Sequence, residues 1–233
     1  MTDRRSAFDA LAAASAALLT EHHPGEILTR LMADCIGPLS ADAAAILVVE
    51  PGGGLGLLAA SSHRAEEIEM LQAQHLRGPC IDSVHSGLHV SGAGDALVER
   101  WQEIGAAIRQ VGFESVHAFP MRWHGRVLGG LTIFRAVVDD ESAESDTAVI
   151  GQAFADVATL VLVQVSDVST DRIAERVQQT INARSAVEQA KGVLAYLHGT
   201  DIEVAYAALA QRAADDGASL VATAWQVISE QHS

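Results

Sequence analysis

An α+β fold is predicted for this chain, with an antiparallel sheet and its helices in front and an all-helical tail behind. Three observations carry the prediction. All five prolines (Pro24, Pro38, Pro51, Pro79, Pro120) lie in the first 120 residues, so only the back of the chain is free to run as unbroken helix. Two pairs of short apolar runs are each joined by a turn signal and read as hairpins: AAAILVVE with LGLLAASS across PGGG, and VHAFPMRW with VLGGLTIFRA across HGR. From Glu144 to Gln189 there is no proline and one glycine, Gly151, while apolar residues recur mostly three to five apart, the spacing of a helical stripe.

In chain order, alanine- and leucine-rich stretches from Ala7 to Leu19 and from Glu26 to Cys35 predict two helices split by HHPG. The first hairpin follows at 43 to 50 and 55 to 62, then a charged helix at 64 to 73. GPCIDSVHSG forms a short segment and LHVSG a short strand. ALVERWQEIGAAIRQVG predicts a helix before the second hairpin. The helices are expected mainly on one face of the sheet. The apolar stripe then runs through Ile150, Phe154, Val157, Val161, Val165, Val168, Ile173, Val177 and Ile181, with a break expected at SDVSTD. Heptad logic makes this a coiled-coil-like linker and a dimeric seam; the alternative is a helix packed only on its own domain. The expected boundaries are 1–165 for the front domain, 166–182 for the helical linker and 183–233 for the tail.

Composition narrows the function. Fifteen Lys+Arg against 30 Asp+Glu give a net charge of −15, which opposes non-specific attraction to nucleic acid or an anionic membrane. A polyanionic partner must therefore be met through a local surface. The strongly apolar runs fall short of the roughly 20 residues that span a bilayer, so no membrane partner is expected. Cys35 and Cys80 lie far apart with no metal-ligand spacing, and no signal peptide precedes them, so a reducing cytoplasm is the expected compartment. His85 and His89 stand four apart, but Gly87 lies between them and no second pair joins them; no metal site is predicted. Asp82 and Glu103 lack a paired nucleophile or oxyanion donors, so no catalytic site is predicted and the chain is read as a non-enzyme.

The tail carries the sharpest signals. A helix from about Asp171 to His198 precedes Gly199, suited to the position past a helix end; Thr200 with Glu203 predicts a capping box for the next helix, about Asp201 to Ala214. DDGAS supplies another stop, and Ser219 caps a third helix carrying Leu220, Ala224, Val227 and Ile228. On the first helix Val187, Ala190, Leu194 and Leu197 share one face, and Arg184, Glu188, Lys191 and Ala195 another. Lys191 is the chain's sole lysine, and Gly192 after it costs an exposed helix about 1 kcal/mol relative to alanine. A solvated Glu188–Lys191 pair explains the lysine alone; the small residues around it suit close approach of a phosphate or base edge.

VEQAKGVL, AYAALAQRA and SLVATAWQVI resemble the ANTAR domain, a three-helix RNA-binding module of bacterial antitermination regulators, over about residues 172 to 230. The resemblance implies a homodimer that binds paired RNA stem-loops in nascent transcripts, with Ala190, Lys191 and Gly192 on the RNA face and Arg184 flanking them. Ala210 stands where the family has an arginine, and Arg212 comes two residues later. Ala195 replaces a methionine, Thr223 a valine, and Trp225 takes a position more often polar. From Asp171 to Ser233 five basic residues face eight acidic ones, so the tail has no basic field; recognition would rest on loop shape and a few contacts.

GPCIDSVHSGLHV and WQEIGAAIRQVGFESVHAFPMRWHGRVLGGLTIFR resemble the GAF domain, a small-molecule sensor often joined to ANTAR in actinobacterial-type proteins. That resemblance implies a six-stranded sheet with a ligand pocket on one face, for which Cys80, Trp101 and Phe119 are the candidate lining residues; it leaves the ligand and any cofactor unknown. The expected function is a signal-responsive antitermination regulator, its front domain sensing a small molecule or redox signal and its tail binding RNA. The alternatives are a degenerate ANTAR protein serving as an interaction or dimerisation module, and a thiol-dependent enzyme built on Cys80.

Overall fold

The computed structural model describes residues 4–20, 24–138, 141–163 and 170–230. The chain divides into two compact units, Met1–Gln178 and Gln179–Ser233.

In the first unit, helices α1 (Arg4–Thr20) and α2 (Pro24–Asp34) precede the hairpin of β1 (Ala43–Val49) and β2 (Leu55–Ala60). Helices α3 (His63–His75) and α4 (Pro79–Ser86), strand β3 (Val90–Ala93) and helix α5 (Asp95–Gln110) follow. The second hairpin, β4 (Ser115–Trp123) with β5 (Arg126–Arg135), leads into α6 (Glu141–Val163). The strands lie in the order β2-β1-β5-β4-β3, each antiparallel to its neighbours. Five strands form among the described residues where six were implied, because the chain between β2 and β4 is mostly helix and adds only β3.

Helices cover both faces of this sheet, not mainly one. On one side α3, α4 and α5 share a core with Ala43, Ala45, Leu47, Val116, Ala118 and Phe134 of the strands. On the other, α2 and α6 pack on the sheet and α1 packs on them. The cause is in β1: residues 43 to 48 have no exposed surface, so both edges of its alternation need covering. Helix α6 contains Ser145–Val163, a stretch long and apolar enough by length and composition to cross a membrane, which the count of uninterrupted apolar runs did not reveal. Here it packs on β4 and β5 and buries Phe154, Ala155, Ala158 and Leu162. Fully burying a side chain such as Phe154 contributes about 1.5–3 kcal/mol.

The α5 helix is broken where the sequence predicted one continuous run. Gln102 has φ 44° and ψ −110°, which splits it into two segments. Gly105 on the second lies so close to the Leu97 backbone of the first that a Cβ would meet its carbonyl.

The second unit comprises the end of α7 (Thr170–His198) with α8 (Ile202–Asp216) and α9 (Leu220–Glu230). Ala186, Ala190, Leu194, Ala205, Leu209, Ala224 and Val227 form its core. Gly199 and Gly217 end their helices at φ 60° and 62°. The cap of α8 is Asp201, whose carboxylate accepts from Val204 N at 3.1 Å, one residue later than the expected Thr200. Ser219 Oγ accepts from Ala222 N at 3.2 Å at the start of α9. The break expected at SDVSTD falls largely on residues outside those described, as do Val165 and Val168 of the expected stripe.

Candidate nucleic-acid interface and a buried polar cluster

Helical spacing puts Arg184, Glu188 and Lys191 along one side of α7, away from the apolar residues that close the three-helix core. Lys191 Nζ donates to both Glu188 carboxylate oxygens, at 2.7 and 2.9 Å, and sits 5.7 Å from the centroid of the Tyr206 ring on α8. The Lys191 side chain is only 16% exposed, and the two contacts to Glu188 hold its ammonium in place. Gly192 is exposed, and a Cβ built there would meet nothing within 4 Å. Arg184 is half-buried on the same side.

Ala190 departs from its expected place. It has no exposed surface and packs with Ala205, Leu209 and Ala224, so its small size lets helices close and cannot present it to RNA. Arg212 donates to Glu230 at 2.6 and 3.1 Å and so ties α8 to α9. Its hydrogen bonds to Glu230 push the guanidinium pKa up, and Arg212 holds the Glu230 carboxyl below its ordinary value. Ala210, half-buried, offers only a methyl group where an arginine would reach out.

The three candidate pocket residues of the first unit do not converge. Cys80 and Trp101 share the core beneath α3, α4 and α5. Phe119 lies on the opposite face, where a Cβ on Gly151 of α6 would strike its ring. Phe119 stacks on His89 at 4.6 Å. His89 meets His117 at 3.3 Å. Trp101 donates its indole N–H to Asp82 at 2.9 Å, with Arg100 set over its ring at 4.5 Å. Among the described residues no three His, Cys, Asp or Glu gather to hold a metal ion.

Around Cys80 lies a cluster the sequence reading missed. Glu69 and Gln72 of α3 and Thr132 of β5 are fully buried beside it. Gln72 joins the two helices, donating to Glu69 at 3.0 Å and accepting from Cys80 N at 2.9 Å. Glu69 Oε2 and Thr132 Oγ1 make no hydrogen bond of good geometry, although each is among the other's near polar neighbours. Burial pushes the Glu69 carboxyl up to about 7, against smaller opposing effects of the Thr132, Cys80 and Gln72 side chains. Burial first, then the Glu69 charge, raises the Cys80 thiol well above its ordinary value, which makes it a poor nucleophile. The signal for Glu69 was present in HRAEEIEMLQAQH, since Ala65, Ile68, Glu69 and Gln72 fall on one helical stripe.

Residues 175–228 match the model of the ANTAR domain. The GAF domain of the Acinetobacter phosphoenolpyruvate-protein phosphotransferase is similar in fold: TM-score 0.50, 16% identity, covering 68% of this chain and 94% of that one. The A. aeolicus nlh2 GAF domain in an inactive state gives 0.52 and 14% over 68% of this chain and 96% of its own. The Neisseria meningitidis free methionine-R-sulfoxide reductase in complex with its substrate gives 0.51 and 12%, covering 77% and 95%. No curated protein sequence matches the chain. The chain thus joins a unit of GAF fold to an ANTAR domain.

Proposed function

We propose that this chain is a signal-responsive RNA-binding antitermination regulator. Its GAF-type unit, about residues 1–165, takes up a small molecule or redox signal; the linker, 166–182, relays it; and the ANTAR unit, 183–233, binds paired RNA hairpins as a homodimer. A ligand shifts such a system only by binding its two arrangements with different affinity. The observation that carries the reading is Lys191, a held ammonium beside the open backbone of Gly192 in the unit matched to ANTAR. An RNA phosphate replaces the Glu188 carboxylate on that ammonium, while Gly192 lets the strand approach and Arg184 adds a flanking charge. The chain is read as a regulator with no chemistry of its own, in keeping with the buried, poorly nucleophilic Cys80 thiol.

Titration of the full chain with paired-hairpin RNAs at fixed salt tests this. Lys191→Ala is expected to weaken binding about tenfold, the worth of a charge-assisted hydrogen bond, and to lower the salt slope by about one. Gly192→Ala fills open space and favours the helix by about 1 kcal/mol, yet is expected to weaken RNA binding by obstructing the strand. Ala210 favours a second reading, an interaction or dimerisation module without RNA binding. No saturable binding by wild type selects that reading, whereas wild-type affinity in both variants places the RNA contact away from Lys191 and Gly192.

A further inference from the structure

We propose that Lys191 and Tyr206 form a site for one unpaired RNA nucleotide, the tyrosine ring stacking on its base and the ammonium taking its phosphate. This rests on the RNA-binding reading and adds the side chain that engages the loop base. In the free protein the Glu188 carboxylate holds the phosphate's place.

Three observations combine. Two anionic oxygens at 2.7 and 2.9 Å on one ammonium are the arrangement a phosphate would also offer, so Lys191 is already set for an oxyanion. That ammonium lies over the Tyr206 ring, 5.7 Å from its centroid, from a different helix, and Tyr206 as a residue is 40% exposed. A flat aromatic surface is therefore placed beside a fixed cation, the pairing of stacking platform and backbone charge by which proteins hold single-stranded nucleic acid. Gly192, the next residue of α7, has nothing within 4 Å of its missing Cβ and adds no side chain near the ammonium's stem. The acidic surroundings suit a contact this local. Of the three basic residues in 183–233, Arg184, Lys191 and Arg212, the last is engaged by Glu230, so selectivity must come from stacking and shape more than from a charged field.

The test uses the full chain and a paired-hairpin RNA carrying 2-aminopurine, whose fluorescence falls on stacking, at each loop position in turn. Wild type is expected to quench one loop position on binding. Tyr206→Leu is expected to lose that quench and about ten- to a hundredfold in affinity, whereas Tyr206→Phe and Tyr206→Trp keep both. The aromatic variants also serve if the leucine variant fails to fold. Tyr196→Leu, at a ring 89% exposed near the end of α7, is expected to bind as wild type does. Binding weakened by Lys191→Ala but untouched by Tyr206→Leu, with no position quenched, overturns the nucleotide site and leaves the RNA-binding reading intact. No hairpin binding by wild type overturns that reading, and the site with it.

Discussion

Glu69 has its carboxyl in the core of the first unit with only a neutral amide as a hydrogen-bond donor of good geometry. The groups that bear on its ionisation are Thr132 from β5, Cys80 from α4 and Gln72 from its own helix, none of them a cation. Its folded value, about 7, lies above the ordinary 4.5, so between those values the folded state holds more proton than the unfolded one. Stability therefore falls as pH rises from about 4.5 through about 7, and the full penalty, on the order of 3 kcal/mol, applies above that. Urea denaturation of wild type and Glu69→Gln across pH 5 to 8, on the order of the span between the two values, checks this. The glutamine variant, which mimics the neutral acid, is expected to gain on wild type as pH rises; parallel profiles would refute the assignment. At this scale the sequence was only partly legible. Lys191 stands out because it is unique, while Glu69 reads as one charge among several in HRAEEIEMLQAQH until the sheet covers that stripe. Ala190 misleads in the opposite direction, since a motif marks a residue as essential without saying whether it faces a ligand or the core.

Elements were legible where local pattern and tertiary demand agree. Both hairpins follow from apolar runs flanking turn residues, with His124 and Gly125 at φ 47° and 79° in the second turn. The unbroken apolar character of AAAILVV was itself the mark of a strand buried on both faces, and it contradicts helices on one side only. The α5 break was not legible, because ALVERWQEIGAAIRQVG carries no proline and its one interior glycine also fits a continuous helix. Tertiary contact explains that glycine. With a Cβ driven into the Leu97 carbonyl, Gly105→Ala forces the two halves of α5 apart. The expected cost is about 1–3 kcal/mol, as for overpacking of a filled site, read as a lower urea midpoint at unchanged m value. An alanine variant as stable as wild type would mean that the two segments separate freely.

Across the whole molecule, the units differ in how much apolar surface they own. The first encloses a five-stranded sheet between helical layers. The second, 55 residues by its bounds, has a core of seven buried residues, four of them alanine. A unit of that size with so little side-chain volume inside is marginal alone, because surface grows relative to buried area as a domain shrinks. The part of the apolar stripe on α6 is already used on its own sheet, where Phe154 and Val161 are buried. Anything that binds only the folded tail stabilises it by mass action. Hydrogen exchange of the full chain is expected to be fastest, among helical amides, in α8 and α9, and slowest in β1 and β5. Hairpin RNA at a hundred times its dissociation constant contributes about 2.7 kcal/mol, which slows exchange throughout the tail about a hundredfold and leaves the sheet unchanged. A tail as protected as the sheet without RNA would show that its small core suffices. RNA that binds yet leaves tail exchange unaltered would place the contact elsewhere on the chain, away from Lys191.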